Sequence, residues 1–186
     1  WADETEIMFQ YKLGLGNTIY QGANRYALND FFMSQAKIEV KGRNFFARAY
    51  RTSEDAGNSY DMRFAGWNVQ RAAKSDTEWF TNYATAYQLS GAVLGTDATS
   101  SAANARNYAD YNVKPSGLES VLPTPTGSPR FEPGTPEFIS ALNAVKSNPD
   151  FTQGAKFTDQ SKIYHSDVNY NFKDLIKFAE IQVGGS

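Results

Sequence analysis

Cysteine is absent from all 186 residues. This excludes a disulfide framework, thiolate metal sites and cysteine nucleophiles. It does not fix the compartment, because large bacterial envelope proteins often lack disulfides too. Histidine occurs once, as His165. With no second histidine or cysteine near it, zinc and nucleophilic catalysis are poorly served. No apolar run approaches the roughly 18 residues of a membrane-spanning helix, and mean hydropathy is −0.53. Positive charge is not in excess either. The 18 Lys and Arg against 20 Asp and Glu give a net charge of −2, and the cations are scattered. A phosphate-tracking groove, and hence a nucleic-acid partner, is not expected.

Aromatic residues, by contrast, are abundant at 15%, with 13 Phe and 11 Tyr. Transmembrane barrels concentrate such residues in girdles at the membrane interfaces and hide their lipid signal in alternation. Alternation is clearest in residues 33–53. Ala36, Ile38 and Val40 alternate with Gln35, Lys37, Glu39 and Lys41, a period of two that places the sets on opposite faces of a strand. Gly42-Arg43 fits a type II′ turn with glycine first. In that register Val40 faces Phe45, Ile38 faces Ala47 and Ala36 faces Ala49, while Glu39 meets Phe46, Lys37 meets Arg48 and Gln35 meets Tyr50. One face is apolar, the other charged and aromatic-tipped.

Five segments read as strands: 5–13, the two arms of that hairpin, 161–171 and 176–185. Each is close to the roughly 9–11 residues with which a tilted strand crosses a bilayer. The connections are unequal. Gly42-Arg43 and 171–175 are short, whereas 14–32 and 54–160 are long and lie at the opposite strand ends. Short periplasmic turns and long extracellular loops give barrels this asymmetry. The expected organisation is therefore barrel strands with one long loop over 1–53, an extracellular helical insert over 54–160 and a barrel hairpin over 161–186.

The insert carries its own signals. Ser75-Asp76-Thr77-Glu78 has capping-box spacing, predicting a helix over about 76–90, with a shorter one around Gly66 to Ala73. Thr135-Pro136-Glu137 supplies an N-cap and a proline at the first helical position, predicting a helix over about 136–147. Residues 114–136 read as a proline-rich extended connector. Trp67, Trp79 and Tyr87 fit a local packed core or, secondarily, a ligand-stacking surface.

The remaining motifs favour modest readings. Asp55-Ala56-Gly57-Asn58 and Thr96-Asp97 lack the spaced acids of a calcium loop and suit turns. Gly14-Leu15-Gly16 also reads as a turn. His165 beside Asp167 reads as a polar wall residue. Lys37 opposite Arg48 would put like charges together, either within a solvated network with Glu39 or as a positive patch for an acidic substrate or plug. The candidate lumen-facing set is Lys37, Glu39, Arg48, Tyr50, His165, Asp167, Glu180 and Gln182. In the Asn- and Tyr-rich 17–32 segment, Tyr20, Asn24, Arg25 and Tyr26 are candidate ligand-facing residues.

The stretches Ile19-Tyr20-Gln21-Gly22-Ala23-Asn24-Arg25-Tyr26, Lys37 to Tyr50, Glu54 to Asp61, Glu132 to Phe138, Tyr164 to Phe172 and Ala179 to Gly185 resemble, in order, the barrel of TonB-dependent outer-membrane receptors of the Bacteroidetes kind. The resemblance implies a 22-stranded antiparallel transmembrane barrel with an N-terminal plug, opened through TonB by the inner-membrane proton gradient. It implies an outer-membrane location and outer-membrane lipids as partners. It further implies import of a large scarce nutrient (siderophore, glycan or peptide), with a surface lipoprotein as a conceivable lid. No cofactor and no catalysis are expected. With about five strands and no plug, the chain reads as a piece of such a receptor. Its ends, Trp1-Ala2-Asp3 and Val183-Gly184-Gly185-Ser186, read as cut from something longer.

The main rival is a secreted carbohydrate-binding β-domain with a helical insert, whose apolar strand faces would be covered by another layer. An adhesin-type surface protein ranks third. An enzyme ranks last, because no paired carboxylates or nucleophile–base set can be assembled.

Overall fold

The structure is a computed structural model that describes residues 5–186. The chain divides into two compact units, one comprising Trp1–Tyr60 with Phe157–Ser186 and the other Asp61–Lys156.

The first unit is built on an antiparallel sheet. Its strands are β1 (Glu6–Gln21), β2 (Arg25–Lys41), β3 (Phe45–Asp55), the two-residue β4 (Tyr60–Asp61), β5 (Lys162–Asn171) and β6 (Gln182–Gly185). The main path runs β1-β2-β3-β5-β6 with β4 off it. The sheet is open, since β1 and β6 form its edges and do not pair with each other.

The expected long loop over 14–32 does not exist. β1 continues to Gln21 and β2 begins at Arg25, so the pair forms a hairpin of 16- and 17-residue strands around a three-residue tip. Gly14-Leu15-Gly16, expected as a turn, lies inside β1. Polar residues obscure this strand because one of them repairs the ladder. The register shifts between Gly16 and Thr18, where β2 carries an extra residue and Asp30 adopts positive φ (54°). The Asn17 side chain accepts from the Asp30 backbone N–H at 2.6 Å, supplying the partner that the bulge removes. The segment after β3 also holds this site. The Asn29 N–H donates to Ser59 Oγ at 3.1 Å and the Asn58 amide donates to Asp30 Oδ2 at 2.7 Å. Gly57 (φ +59°) has no room for a Cβ against the carbonyls of Asn29 and Asp30. The Asp55–Asn58 segment is a turn, with Gly57 N–H on Asp55 Oδ1 at 2.8 Å.

The β2–β3 hairpin is offset by two residues from the expected register. Lys41 pairs with Phe46, Val40 with Ala47, Ile38 with Ala49 and Lys37 with Tyr50. Gly42 N–H bonds the Phe45 carbonyl at 2.8 Å, so Arg43-Asn44 forms the tip and Gly42 lacks the positive φ of a type II′ turn. Glycine is needed there for another reason, because a Cβ would collide with the folded-back Phe45 ring. An offset of two leaves every residue on its expected face.

At the far edge the expected strand 176–185 shrinks to β6, residues 182–185. Residues 172–181 form turns instead, with Leu175 and Ile176 N–H groups both on the Phe172 carbonyl at 2.9 Å. Asp174 accepts from Asn44 at 2.7 Å and lies 3.3 Å from Arg43 Nε, so turn chemistry overrides the apolar alternation.

The second unit is helical: α1 (Met62–Ala73), α2 (Asp76–Leu94), α3 (Ala98–Tyr111) and α4 (Pro136–Ser147). The expected caps are present. Ser75 and Glu78 complete a capping box on α2, and Thr135 caps α4 ahead of Pro136. α3 was not expected. Its Asn- and Ser-rich sequence shows little apolar periodicity, yet Asp97, expected in a turn, caps it through Ser100 N–H at 2.9 Å. Its small buried residues allow close approach to α2, and Ala86, Ala105, Tyr108, Leu118 and Leu122 form the core.

The proline-rich connector, expected to be extended, instead turns over residues 115–122, where Leu118 N–H bonds the Pro115 carbonyl at 3.0 Å and Leu122 N–H the Leu118 carbonyl at 2.9 Å, and side chains order it. Tyr108 is fully buried and its hydroxyl donates to the Pro123 carbonyl at 2.7 Å. The Asn82 amide donates to the Thr126 carbonyl and accepts from the Thr126 N–H. Buried Lys74 reaches the Ala109 carbonyl and Asn112. Asn68 ties α1 to the segment after α4, its amide donating to the carbonyls of Phe151 and Gly154. Of the expected aromatic core, Trp79 stacks on Tyr83 and Tyr83 on Tyr87. Trp67 is half-exposed and packs edge-on against Phe64.

Candidate functional site

The strand registers sort the sheet into two unlike faces. One carries Ile7, Phe9, Tyr11, Leu13 and Leu15 from β1 with Ala36, Ile38 and Val40 from β2. It continues through Ala47 and Ala49, then Val168 and Tyr170, to Val183. The other carries Gln10, Lys12, Gln35, Lys37, Glu39, Arg48, Tyr50, Thr52, His165, Asp167, Asn169 and Gln182.

The apolar face is the more exposed of the two. Phe9 is 77% exposed, Leu15 70% and Val168 54%, whereas Lys37, Glu39, Arg48, Tyr50 and Asp167 are all half-buried. The long polar side chains cover one another and the apolar ones have no cover. Each large apolar side chain on this face forgoes part of the roughly 1.5–3 kcal/mol that full burial from water would contribute.

On the polar face the strands align residues in rows. Glu39, Arg48 and Asp167 form one, and Lys37, Tyr50 and His165 the next. The expected like-charge pair of Lys37 with Arg48 is therefore not formed, because the two-residue offset puts Glu39 and Asp167 beside Arg48 in its row. Lys37 Nζ lies 3.0 Å from Glu39 Oε2 along its own strand. Arg48 makes a bidentate contact with Asp167, Nη2 to Oδ2 at 2.6 Å and Nε to the two oxygens at 3.0 and 3.1 Å. That hydrogen bond, followed by the charge of Asp167, raises the Arg48 pKa further above its ordinary value. Arg48 also lies over the Phe46 ring, 5.7 Å from its centroid.

His165 stacks on Tyr50 with centroids 5.0 Å apart, and its Nδ1 is 3.7 Å from Asp167 Oδ2. Gln35 donates to Thr52 at 3.2 Å. The sequence alternation already places Gln10, Lys12, Gln35 and Asn169 on this face, although they are not in the candidate lumen-facing set; Thr52 joins them in the row of Gln35. Of the expected set, Gln182 sits at the edge opposite Asn171. Glu180 is not on a strand. It lies in the 172–181 connection and accepts from Asn171 and Gln182.

On this face Lys37 is matched by Glu39 and Arg48 by Asp167. Such a surface suits contact with water or a polar cargo. Among the described residues no cluster of His, Asp and Glu is arranged to hold a metal ion.

The candidate loop residues lie at the β1–β2 tip. Tyr20 and Tyr26 are paired across the hairpin and stack at 6.4 Å. The Asn24 amide donates to the Tyr26 hydroxyl at 2.9 Å, and Arg25 pairs with Gln21. These residues form a closed tip rather than a long binding loop, with the Tyr26 ring also against Phe157 at 5.2 Å.

On the apolar face, small residues leave a furrow of about 740 Å³ between Phe9 and Tyr11 on one side and Tyr164 on the other, floored by Ala36, Ala49 and Ser166. Among the described residues no helix is long and apolar enough to cross a membrane. No protein-family model, curated protein or solved structure matches this chain.

Proposed function

We propose that this chain is part of the barrel of a TonB-dependent outer-membrane transporter that binds and imports a large scarce nutrient. The observation that carries this reading is the inverted exposure of the sheet: an uncovered apolar face backs a self-covered polar one. A sheet working in water puts its apolar face against a core. A barrel strand gives that face to lipid and the polar face to the lumen.

Further support comes from two rows of the apolar band. Phe45 and Tyr170 share the row nearest the β2–β3 turn, and Tyr11, Arg51 and Tyr164 lie in a row six residue pairs further along the ladder. Arg51 lies over the Tyr164 ring at 5.8 Å. Aromatic and cationic side chains in these rows are of the kind found in membrane-interface girdles, while on β1 the apolar face continues past Tyr11 to Leu13 and Leu15. β1 and β2, at 16 and 17 residues, exceed the roughly 9–11 needed to cross, so their tip would project beyond the bilayer. The open edges call for neighbouring strands, consistent with a 22-stranded parent. The furrow would take lipid acyl chains, TonB would engage a plug domain, and the helical unit would face the exterior, where a lipoprotein lid would act.

The test uses the absence of cysteine. Single cysteines replacing Phe9, Leu13 or Val168, and others replacing Gln10, Lys37 or Asn169, are introduced into the protein in its host cell. A lipid-soluble quencher should reach fluorophores on the first set and a membrane-impermeant thiol reagent the second. Uptake should stop when TonB is deleted. If both sets react equally with the impermeant reagent, or the protein fractionates away from the outer membrane, the reading is wrong.

A further inference from the structure

In the helical unit, α1, α2, α3 and the end of the connector enclose a hollow of about 340 Å³. Its wall includes Arg71, Lys74, Arg106 and Arg130 against two carboxylates, Asp76 and Asp110, so four cations face two anions. Both carboxylates are committed. Asp76 holds Arg71 through three contacts of 2.8 to 3.1 Å. Asp110 accepts from the Trp79 indole at 2.7 Å and from Arg106 Nε at 3.0 Å. Glu78, whose charge also reaches Lys74, is engaged by the Ser75 cap. Lys74 is spent on Ala109 and Asn112. Arg130 differs. Its Nε is buried without a hydrogen-bond partner, while its backbone N–H is fixed on the Asp110 carbonyl at 2.7 Å. Arg130 as a whole is half-buried, so although its Nε is closed off, its remaining guanidinium donors supply positive charge to the wall of the hollow.

A second hollow of about 700 Å³ adjoins it and shares Trp79, Phe80 and Arg106, with Tyr83 and the small Ala102 and Ala103 completing the wall. Trp79 stacks on Tyr83 at 5.2 Å and meets Phe80 edge-on at 5.0 Å. Phe80 is 64% exposed, so its ring is available to a ligand. Cations on one side of Phe80 and aromatic surface on the other define a ligand with an acid at one end and a flat body at the other.

We infer that this paired hollow binds a ring-bearing carboxylic acid, its carboxylate against Arg130 and Arg106 and its ring against Phe80 and Trp79. The shared chemistry is a carboxylate joined to a ring, from either an acidic sugar or an aromatic acid. The inference does not rest on the transport reading, because binding here can hold or fail whether or not the sheet lies in a membrane.

The experiment is calorimetric titration of the full chain in detergent with digalacturonate and with benzoate, beside the neutral lactose and benzyl alcohol. The Trp79 indole N–H resonance is followed in parallel. One or both acids should bind and shift that resonance, and the acid that binds identifies the source. Arg130→Gln should weaken binding at least about tenfold, as expected for a lost charge-assisted hydrogen bond. Arg106→Gln and Phe80→Ala alter exposed side chains, so the fold is retained and each should weaken binding several-fold. The inference is overturned if neither acid binds, if the neutral compounds bind equally well, or if folded Arg106→Gln and Phe80→Ala proteins bind the acid unchanged.

Discussion

Arg48 and Asp167 stand directly opposite each other on β3 and β5, joined by a bidentate contact whose shortest distance is 2.6 Å. They tie segments of chain separated by the whole helical unit, and Glu39 lies on the other side of Arg48 in the same row. Arg48→Gln should therefore lower the denaturant midpoint of the sheet, and the loss should be smaller in an Asp167→Asn background. A double-mutant cycle checks this, and purely additive losses would show that the pair is not coupled.

Because Lys37 has Glu39 and Arg48 has Asp167, the two cations act separately. Neutralising Lys37 should leave the effect of neutralising Arg48 unchanged in the same denaturation assay. A larger combined effect than the sum would point to a shared positive patch.

On the apolar face, Val168→Lys should oppose insertion into a bilayer by about 2–4 kcal/mol if the position lies near the midplane. Asn169→Lys, one residue along and on the opposite face, should be tolerated. Folding into vesicles, followed by protease protection, separates these outcomes; equal behaviour would count against lipid contact.

Within the helical unit, Tyr108→Phe removes the donor to the Pro123 carbonyl. The expected cost is about 0.5–1.5 kcal/mol, the net contribution of one intramolecular hydrogen bond. Ser75→Ala should cost about 1 kcal/mol by opening the capping box. Urea unfolding followed by far-ultraviolet circular dichroism measures both.

The same unit should lose stability in acid. Asp76 is held below the usual carboxylate range chiefly by its hydrogen bond from Arg71. Glu78 is held down by Ser75, Asp97 by the Ser100 N–H, and Asp150 by Thr152. The unfolded chain binds protons on these groups at higher pH than the folded one. Their contribution is complete above about pH 5 and is lost as pH falls through the folded-state values. Asp76→Asn should flatten the pH dependence of the midpoint between about pH 5 and 2; an unchanged slope would exclude Asp76 as a contributor.

Much of the sheet was legible because alternation survives in strands whose two faces meet different surroundings. The face assignments of Lys37, Glu39, Arg48, Tyr50, His165 and Asp167 followed from it. Register did not, because Gly42 announced a glycine-first turn while its real constraint is the Phe45 ring lying over it. Asn17 and Asp30 concealed the outer half of the first hairpin, since bulge repair uses the same polar residues as loops. α3 escaped notice because it packs through Ala105 and Ala109 rather than through a leucine stripe. The hollow around Arg130 could not be read at all, as its wall comes from three separated stretches of chain.

Deleting two residues between Lys41 and Phe46 would carry β3 along its neighbours without turning it over, so Arg48 would still look toward the polar side. Deleting one would roll the strand through half a turn, presenting Arg48 and Tyr50 where Ala47 and Ala49 now stand. Length at this corner is thus quantised in pairs. Natural variants of the chain should differ there by even numbers of residues, and an odd insertion should appear only beside a compensating odd change nearby.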